Sequence, residues 1–168
     1  MIRPFTPDDA GEMATLSRAN REFLAPFEPD RPEAYYTEQG QRERIEEALE
    51  WAATDRGWRF AVVDDGVIVG TIGLTDVIRG PVQLANVGYW IDRQHNGRGL
   101  ASQAVSEIVE FAFGDAGLHR LEAGTLPDNH ASQHVLEKNG FVRYGFARGL
   151  LLIAGEWRDH VLFERLAD

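Results

Sequence analysis

The chain has 168 residues, 43% hydrophobic and 26% charged, a globular balance for which one domain spanning residues 1–168 around one core is expected. A formal charge of −10 and a sequence pI near 4.9 repel phosphate backbones, which argues against direct nucleic-acid binding and leaves a basic protein partner open. Without cysteine there is no disulfide scaffold, thiolate nucleophile or cysteine-ligated zinc, and no run approaches the ~18 apolar residues of a membrane span, so a soluble cytoplasmic protein is expected.

Ile2 to Phe5 reads as a short opening strand. Thr6-Pro7-Asp8-Asp9 then offers a capping hydroxyl, a first-turn proline and acids, the signals of a helix start. Pro26, Pro29 and Pro32 break the following stretch into an irregular loop carrying Phe27, and helical spacing resumes from Gly40 to Ala53. Trp58 to Val63 and Val67 to Leu74 flank Asp64-Asp65-Gly66 and predict a hairpin, the second and third strands. Val82 to Ile91 is a fourth strand. After it, Leu100, Ala101, Ala104, Val105, Ile108, Val109 and Ala112 recur at the spacing of an amphipathic helix. Leu121 to Leu126 is a fifth strand, Asn129 to Asn139 a short helix with Gly140 as its left-handed cap, and Tyr144 to Ile153 with Trp157 to Leu166 a closing hairpin. The alternation predicts a mixed α/β fold.

The fourth strand runs into Gln94-His95-Asn96-Gly97-Arg98-Gly99-Leu100-Ala101 and then directly into the amphipathic helix. Such a strand, glycine loop and helix N-terminus form an anion site, because first-turn amides have no intrahelical acceptor and the helix dipole favours negative charge. Gly97 and Gly99 let an anion approach the backbone and permit positive φ, while Arg98 can add a cation. A dinucleotide fingerprint fits poorly, with only Ser102 as its third small residue, and the Gly-Lys-Ser/Thr of a Walker loop is absent. Asn129 and Ser132 share one face of their helix at i, i+3, where both could meet a ligand or Asn129 could serve as a cap. His130 and His134 lack the glutamate and third ligand of a zinc motif, so no metal is expected.

What does fit is Gln/Arg-x-x-Gly-x-Gly/Ala at Gln94, Gly97 and Gly99, which resembles the pyrophosphate loop of the GNAT N-acetyltransferase superfamily. The likeness continues in Val87-Gly88-Tyr89-Trp90-Ile91, which resembles the superfamily's fourth strand, while Pro127-Asp128-Asn129-His130-Ala131-Ser132, Val135 to Phe141 and Gly155 to Leu162 resemble the RimJ/RimL branch. Asn20 to Pro29 and Val77 to Gly80 resemble RimJ in particular.

That resemblance implies a mostly antiparallel central sheet flanked by helices and splayed between strands four and five, where acetyl-coenzyme A enters. It implies that Val87, Tyr89 and Ile91 of strand four meet the pantetheine arm, that Gln94, His95, Asn96, Gly97, Arg98, Gly99, Leu100 and Ala101 hold the pyrophosphate, and that Asn129 and Ser132 reach the pantetheine and thiol end. Acetyl transfer to a protein N-terminal Ala or Ser, as on a ribosomal protein, is the implied activity. Acetylation of a small amine, or an acyl-coenzyme A-binding module with weak catalysis, are the alternatives. Glu122 is the candidate base and Ser132 the candidate donor to the thiolate, although Glu122 could instead pair with Arg120 or Arg143. Many relatives carry glutamate where Asn86 stands. Phe27, Glu28, Asn86 and Asp159 are the expected acceptor-side residues. Oligomeric state is not legible, and a dimer stays open.

Overall fold

The computed structural model describes residues 1–167. Its elements run β1 (Ile2–Pro4), α1 (Ala10–Leu24), α2 (Glu38–Ala53), β2 (Trp58–Asp64), β3 (Val67–Ile78), β4 (Leu84–Ile91), α3 (Leu100–Phe113), β5 (Arg120–Thr125), α4 (His130–Lys138), β6 (Val142–Ile153) and β7 (Glu156–Leu166). One sheet holds all seven strands in the order β1-β2-β3-β4-β5-β7-β6. Every pairing is antiparallel except β4 with β5.

Alternation along the strands gives the sheet two apolar faces. Val62, Ile72, Leu74, Val87, Leu121 and Phe163 pack on one side against Ala104, Val105, Ile108 and Val109 of α3. Ala61 and Ile68 turn to the other side, where Met13 of α1 and Ile45 of α2 cover them.

The feature that matters for function is the parallel pair. β4 and β5 are in register only from Leu84↔Arg120 to Asn86↔Glu122, although β4 continues to Ile91 and β5 to Thr125. Beyond Asn86, β4 stays paired to β3, and beyond Glu122, β5 stays paired to β7, so the two halves of the sheet diverge as expected.

Local hydrogen bonding moves several expected boundaries. The fourth strand starts at Leu84 instead of Val82 because Gln83 takes φ 48 and its carbonyl accepts from the amides of His119 and Arg120, outside the ladder. β3 runs on to Ile78 past Leu74, with a register shift after Thr75 where Asp76 has φ 53. The closing hairpin is longer at both ends, with Val142 pairing Glu164 at its base and Glu156 pairing Ile153 beside the turn.

At the first helix, Thr6 opens a short 3-10 turn, Pro7–Asp9, that leads straight into α1. Asp9 accepts from the Thr6 amide at 2.8 Å and from both terminal nitrogens of Arg3 at 2.8 Å each. The Arg3 hydrogen bonds, more than any other influence, hold the Asp9 carboxyl below the usual carboxylate range against the opposing effect of burial. A carboxylate with a depressed folded-state pKa stabilises the fold above its unfolded value, and this contribution is lost as pH falls through the folded one. Asp9→Asn is expected to cost about 1–2 kcal/mol at neutral pH, a figure kept small because Arg3 is half exposed. Urea denaturation should find that difference shrinking once pH drops below about 4, the ordinary aspartate range.

Candidate active site

Between β4 and α3 the chain makes an open loop of backbone donors. Gly97 and Gly99 have φ of 77° and 81°, in the left-handed region, and a Cβ on either would meet nothing within 4 Å. The first hydrogen bond of the helix runs from the Gln103 amide to the Gly99 carbonyl. The amides of Leu100, Ala101 and Ser102 have no acceptor among the described residues, and they point out of the helix start together with the positive end of its dipole. Arg98 is ion-paired to Asp64 at the end of β2 at 2.7 Å, so much of the loop's positive character comes from its amides.

A buried clamp fixes where this loop begins. Asn20 of α1 donates to Asp92 at 2.7 Å through Nδ2 and accepts from the Arg93 amide at 2.9 Å through Oδ1. His95 Nδ1 lies 2.6 Å from the other Asp92 oxygen. Burial alone would raise the Asp92 pKa, but the hydrogen bonds from Asn20 and His95 outweigh it and keep the carboxyl low. Behind the loop, Asn139 at the end of α4 donates to Ser102 Oγ at 3.1 Å, which ties α4 to the first turn of α3.

Where β4 and β5 part, a crevice of about 150 Å³ is lined by Phe27, Val87, Gly88, Tyr89, Ala123, Gly124, Thr125, Leu126, Asn129, Ser132, Leu136 and His160. The Tyr89 hydroxyl lies 2.9 Å from Ser132 Oγ. Burial pushes the Tyr89 phenol up to about 12, against the smaller opposing effect of its Ser132 hydrogen bond, so it stays protonated. Asn129 caps α4, its Oδ1 accepting from the Ser132 amide at 3.1 Å, and no hydrogen bond among the described residues uses its Nδ2. Thr125 Oγ1 is buried and has no partner among the described residues. A larger concavity of about 640 Å³ between residues 30–35 and α2 is rimmed by Asp30, Glu43, Glu46, Glu47 and Glu50. It lies away from the splay and from the amide loop, so the smaller crevice is the candidate site.

The acetyltransferase (GNAT) domain profile matches residues 1–142. The chain belongs to the GNAT acetyltransferase family. Among curated relatives of this GNAT enzyme, the probable N-acetyltransferase YjcK of Bacillus subtilis (strain 168) is 42% identical over 95% of the chain and 89% of its own length. The [ribosomal protein uS5]-alanine N-acetyltransferase of Escherichia coli (strain K12) is 32% identical over 96% of the chain and 84% of its own length. In three dimensions the ribosomal-protein-S5-alanine acetyltransferase from Vibrio fischeri superposes with a TM-score of 0.96 at 34% identity, covering 99% of this chain and 92% of that one. Mycobacterium smegmatis RimJ, solved in complex with a CoA disulfide, superposes with a TM-score of 0.94 at 28% identity, covering 99% and 81%.

Within this GNAT frame the residues singled out in the sequence separate into two groups. Val87, Tyr89, Asn129, Ser132 and Phe27 line the crevice, and Gln94 to Ala101 form the amide loop beside it. Ile91 is buried in the core at the end of β4. The expected base and the other expected acceptor-side residues, Glu28, Asn86 and Asp159, are not among the residues lining the crevice. Glu122 accepts from Arg120 Nε at 2.7 Å, Arg120 also pairs with Glu164, and Glu122 is not among the crevice residues. Asn86 donates to Asp76 at 3.1 Å, Glu28 is ion-paired with Arg31 at 2.9 Å, and Asp159 accepts from the Gly149 amide at 2.8 Å within the closing hairpin.

Thr125, Gly124 and His160 line the crevice and had not been singled out. The first two continue β5 past its last pairing with β4, and the third comes from β7, the other neighbour of β5. Only knowledge of that strand order could have brought them together.

Proposed function

We propose that this N-acetyltransferase moves the acetyl group of acetyl-coenzyme A to the α-amine of a protein beginning with Ala or Ser, such as a basic ribosomal protein, by direct transfer in a ternary complex. The observation that carries this reading is the position of the crevice. Tyr89, Thr125 and Ser132 line it beside the amide loop, while Phe27, from the loop after α1, borders it with Gly88, Gly124 and His160.

The residues fit the cofactor. Unpartnered amides at Leu100, Ala101 and Ser102, with open space over Gly97 and Gly99, suit a pyrophosphate, and the orphaned Thr125 hydroxyl and free Asn129 Nδ2 suit the amides and carbonyls of a pantetheine arm. Bound there, acetyl-coenzyme A would supply an activated acyl group, and the protein needs no covalent intermediate of its own.

What the chain must do is orient the amine and provide for proton movement. In the orientation that has the protonated Tyr89 donate to Ser132 Oγ, 2.9 Å away, the Ser132 hydroxyl is left free to donate to the departing thiolate. An α-amine titrates near 8, so presenting it neutral at pH 7 costs about 1 kcal/mol, against about 5 for a lysine side chain. A crevice lined by apolar groups, hydroxyls, the Asn129 carboxamide and the His160 imidazole, with no carboxylate among the described lining residues, suits the α-amine, which needs no strong base. The net charge of −10 favours the basic chain that follows it. Relatives named for acetylation of ribosomal-protein alanine support the same class.

A short peptide starting with Ala or Ser and carrying downstream Lys and Arg should be acetylated with a kcat/KM at least about tenfold above free amino acids or polyamines, a gap of about 1.4 kcal/mol in transition-state stabilisation. Blocking its α-amine while leaving the lysines free should stop thiol release. Acetyl groups located on lysine by mass spectrometry, or preference for a free small amine, would overturn the substrate class.

A further inference from the structure

We propose that His160 is the general base of the acetyl transfer, its Nε2 taking the proton that the acceptor amine gives up as it attacks the thioester. This inference rests on the N-terminal acetylation reading and assigns the role that a carboxylate was expected to fill.

Three observations converge on it. Among the described residues, Tyr89 and His160 are the only ones with titratable side chains lining the crevice, and burial keeps the Tyr89 phenol protonated, so it has no proton-accepting charge to offer. His160 is 4% exposed, yet it lines the crevice beside Gly124, where a Cβ would lie only 3.5 Å from its Cδ2, the ring atom next to Nε2. The missing side chain at Gly124 is what opens that edge of the ring to a ligand.

The tautomer follows from the partner of the other nitrogen. His160 Nδ1 lies 3.1 Å from the Arg158 carbonyl oxygen. A carbonyl only accepts, so Nδ1 must carry a hydrogen, and in the neutral ring Nε2 then holds a lone pair. Nothing among the described residues hydrogen-bonds to Nε2, and it is not sealed from solvent. A backbone orienter, a fixed ring and a free acceptor nitrogen in a crevice make the geometry of a general base.

Glu122 fits less well. It neighbours Asn86 across the last β4–β5 pair, its carboxylate is held by Arg120, and it is not among the crevice residues.

The step balances without a further reactant. The amine nitrogen bonds to the acetyl carbon and the carbon–sulfur bond breaks. His160 Nε2 accepts the amine proton and later returns it to solvent. Ser132 Oγ protonates the leaving thiolate and is reprotonated through Tyr89 and water, so the net transfer is one proton from nitrogen to sulfur.

The test uses the full chain with acetyl-coenzyme A and a peptide beginning with Ala, read as thiol release. His160→Asn keeps a side-chain N–H able to donate to the Arg158 carbonyl and removes Nε2. It should lower kcat by about 100-fold or more, the usual contribution of a general base, with peptide KM and coenzyme A affinity changed less than threefold. Imidazole in the buffer should restore part of the turnover of His160→Ala and leave the wild type unchanged. A kcat loss under threefold in His160→Asn, a loss confined to KM, no rescue of His160→Ala, or an equal kcat loss in Glu122→Gln would each overturn the assignment. If the wild type acetylates only small free amines, the substrate reading fails by itself and the same variants are scored on that amine, since any ammonium acceptor must lose a proton.

Discussion

Gly99→Asp is expected to weaken coenzyme A binding by about 100-fold or more while leaving the domain folded. Gly99 precedes the first turn of α3 at φ 81°, and a Cβ built on it meets no protein atom within 4 Å. An aspartate Cβ there has open space, so the main cost to the fold is the left-handed backbone, about 1–2 kcal/mol, which asparagine and aspartate tolerate better than most residues. At about 2–4 °C per kcal/mol, that corresponds to a modest fall in Tm. The ligand meets a different situation. The amides of Leu100, Ala101 and Ser102 that await an anion would then have a carboxylate beside them, and like-charge juxtaposition at a binding site costs several kcal/mol. Gly99→Ala carries the same backbone strain without the charge and should lose less than tenfold. Calorimetry on both variants separates strain from charge, and equal affinity in Gly99→Asp and the wild type would remove the pyrophosphate from this loop.

The glycine loop was legible because only glycine suits its conformation and because a strand and an amphipathic helix flank it, a context that spacing reveals. The turn at Asp65 and Gly66, the Asn129 cap and the left-handed Gly140 were legible for the same reason, since each is a local demand on one residue type. The splay was not. Periodicity describes β4 and β5 as two strands, while the place where their pairing stops is fixed by their outer partners β3 and β7, and that expectation came from resemblance alone.

The acids show the same division. Arg120 and Glu122 stand two apart on one strand and so share a face, which makes their ion pair readable as an alternative. That Glu122 lies outside the crevice depends on a register that spacing does not encode. His160 gave no local sign. It is one histidine in an alternating strand, and its interest arises only because β7 lies beside β5 at the point where β5 has a glycine.

Gly40→Ala is expected to destabilise the protein by about 3 kcal/mol, opposite in sign to what helix propensity dictates. Alanine exceeds glycine in a helix interior by about 1 kcal/mol, and Gly40 lies in the first turn of α2. Its Cβ position, however, is 1.8 Å from the Ala34 carbonyl oxygen and 2.7 Å from the Ala34 carbonyl carbon, backbone atoms that no rotamer change can move. Gly40 lets the 3-10 turn Glu33–Tyr36 lie directly on the start of α2, and that contact is locked from two directions. Gln41 donates to the Tyr35 carbonyl at 2.6 Å, and Arg18 of α1 donates to the Tyr36 carbonyl at 2.7 Å. Either the turn lifts and forfeits these bonds or α2 shifts and draws its Ile45 away from Met13, Ala61 and Ile68, and overpacking of this kind costs about 1–3 kcal/mol or more. At about 2–4 °C per kcal/mol, the Tm should fall by roughly 6–12 °C. The turn ends the segment that begins with Phe27, so its displacement should also raise KM for the peptide acceptor. Coenzyme A affinity, assigned to the loop before α3, should change less than threefold. A Gly40→Ala protein as stable as the wild type would mean that the turn does not rest on α2 in solution, and Phe27 would then lose the support that places it at the crevice.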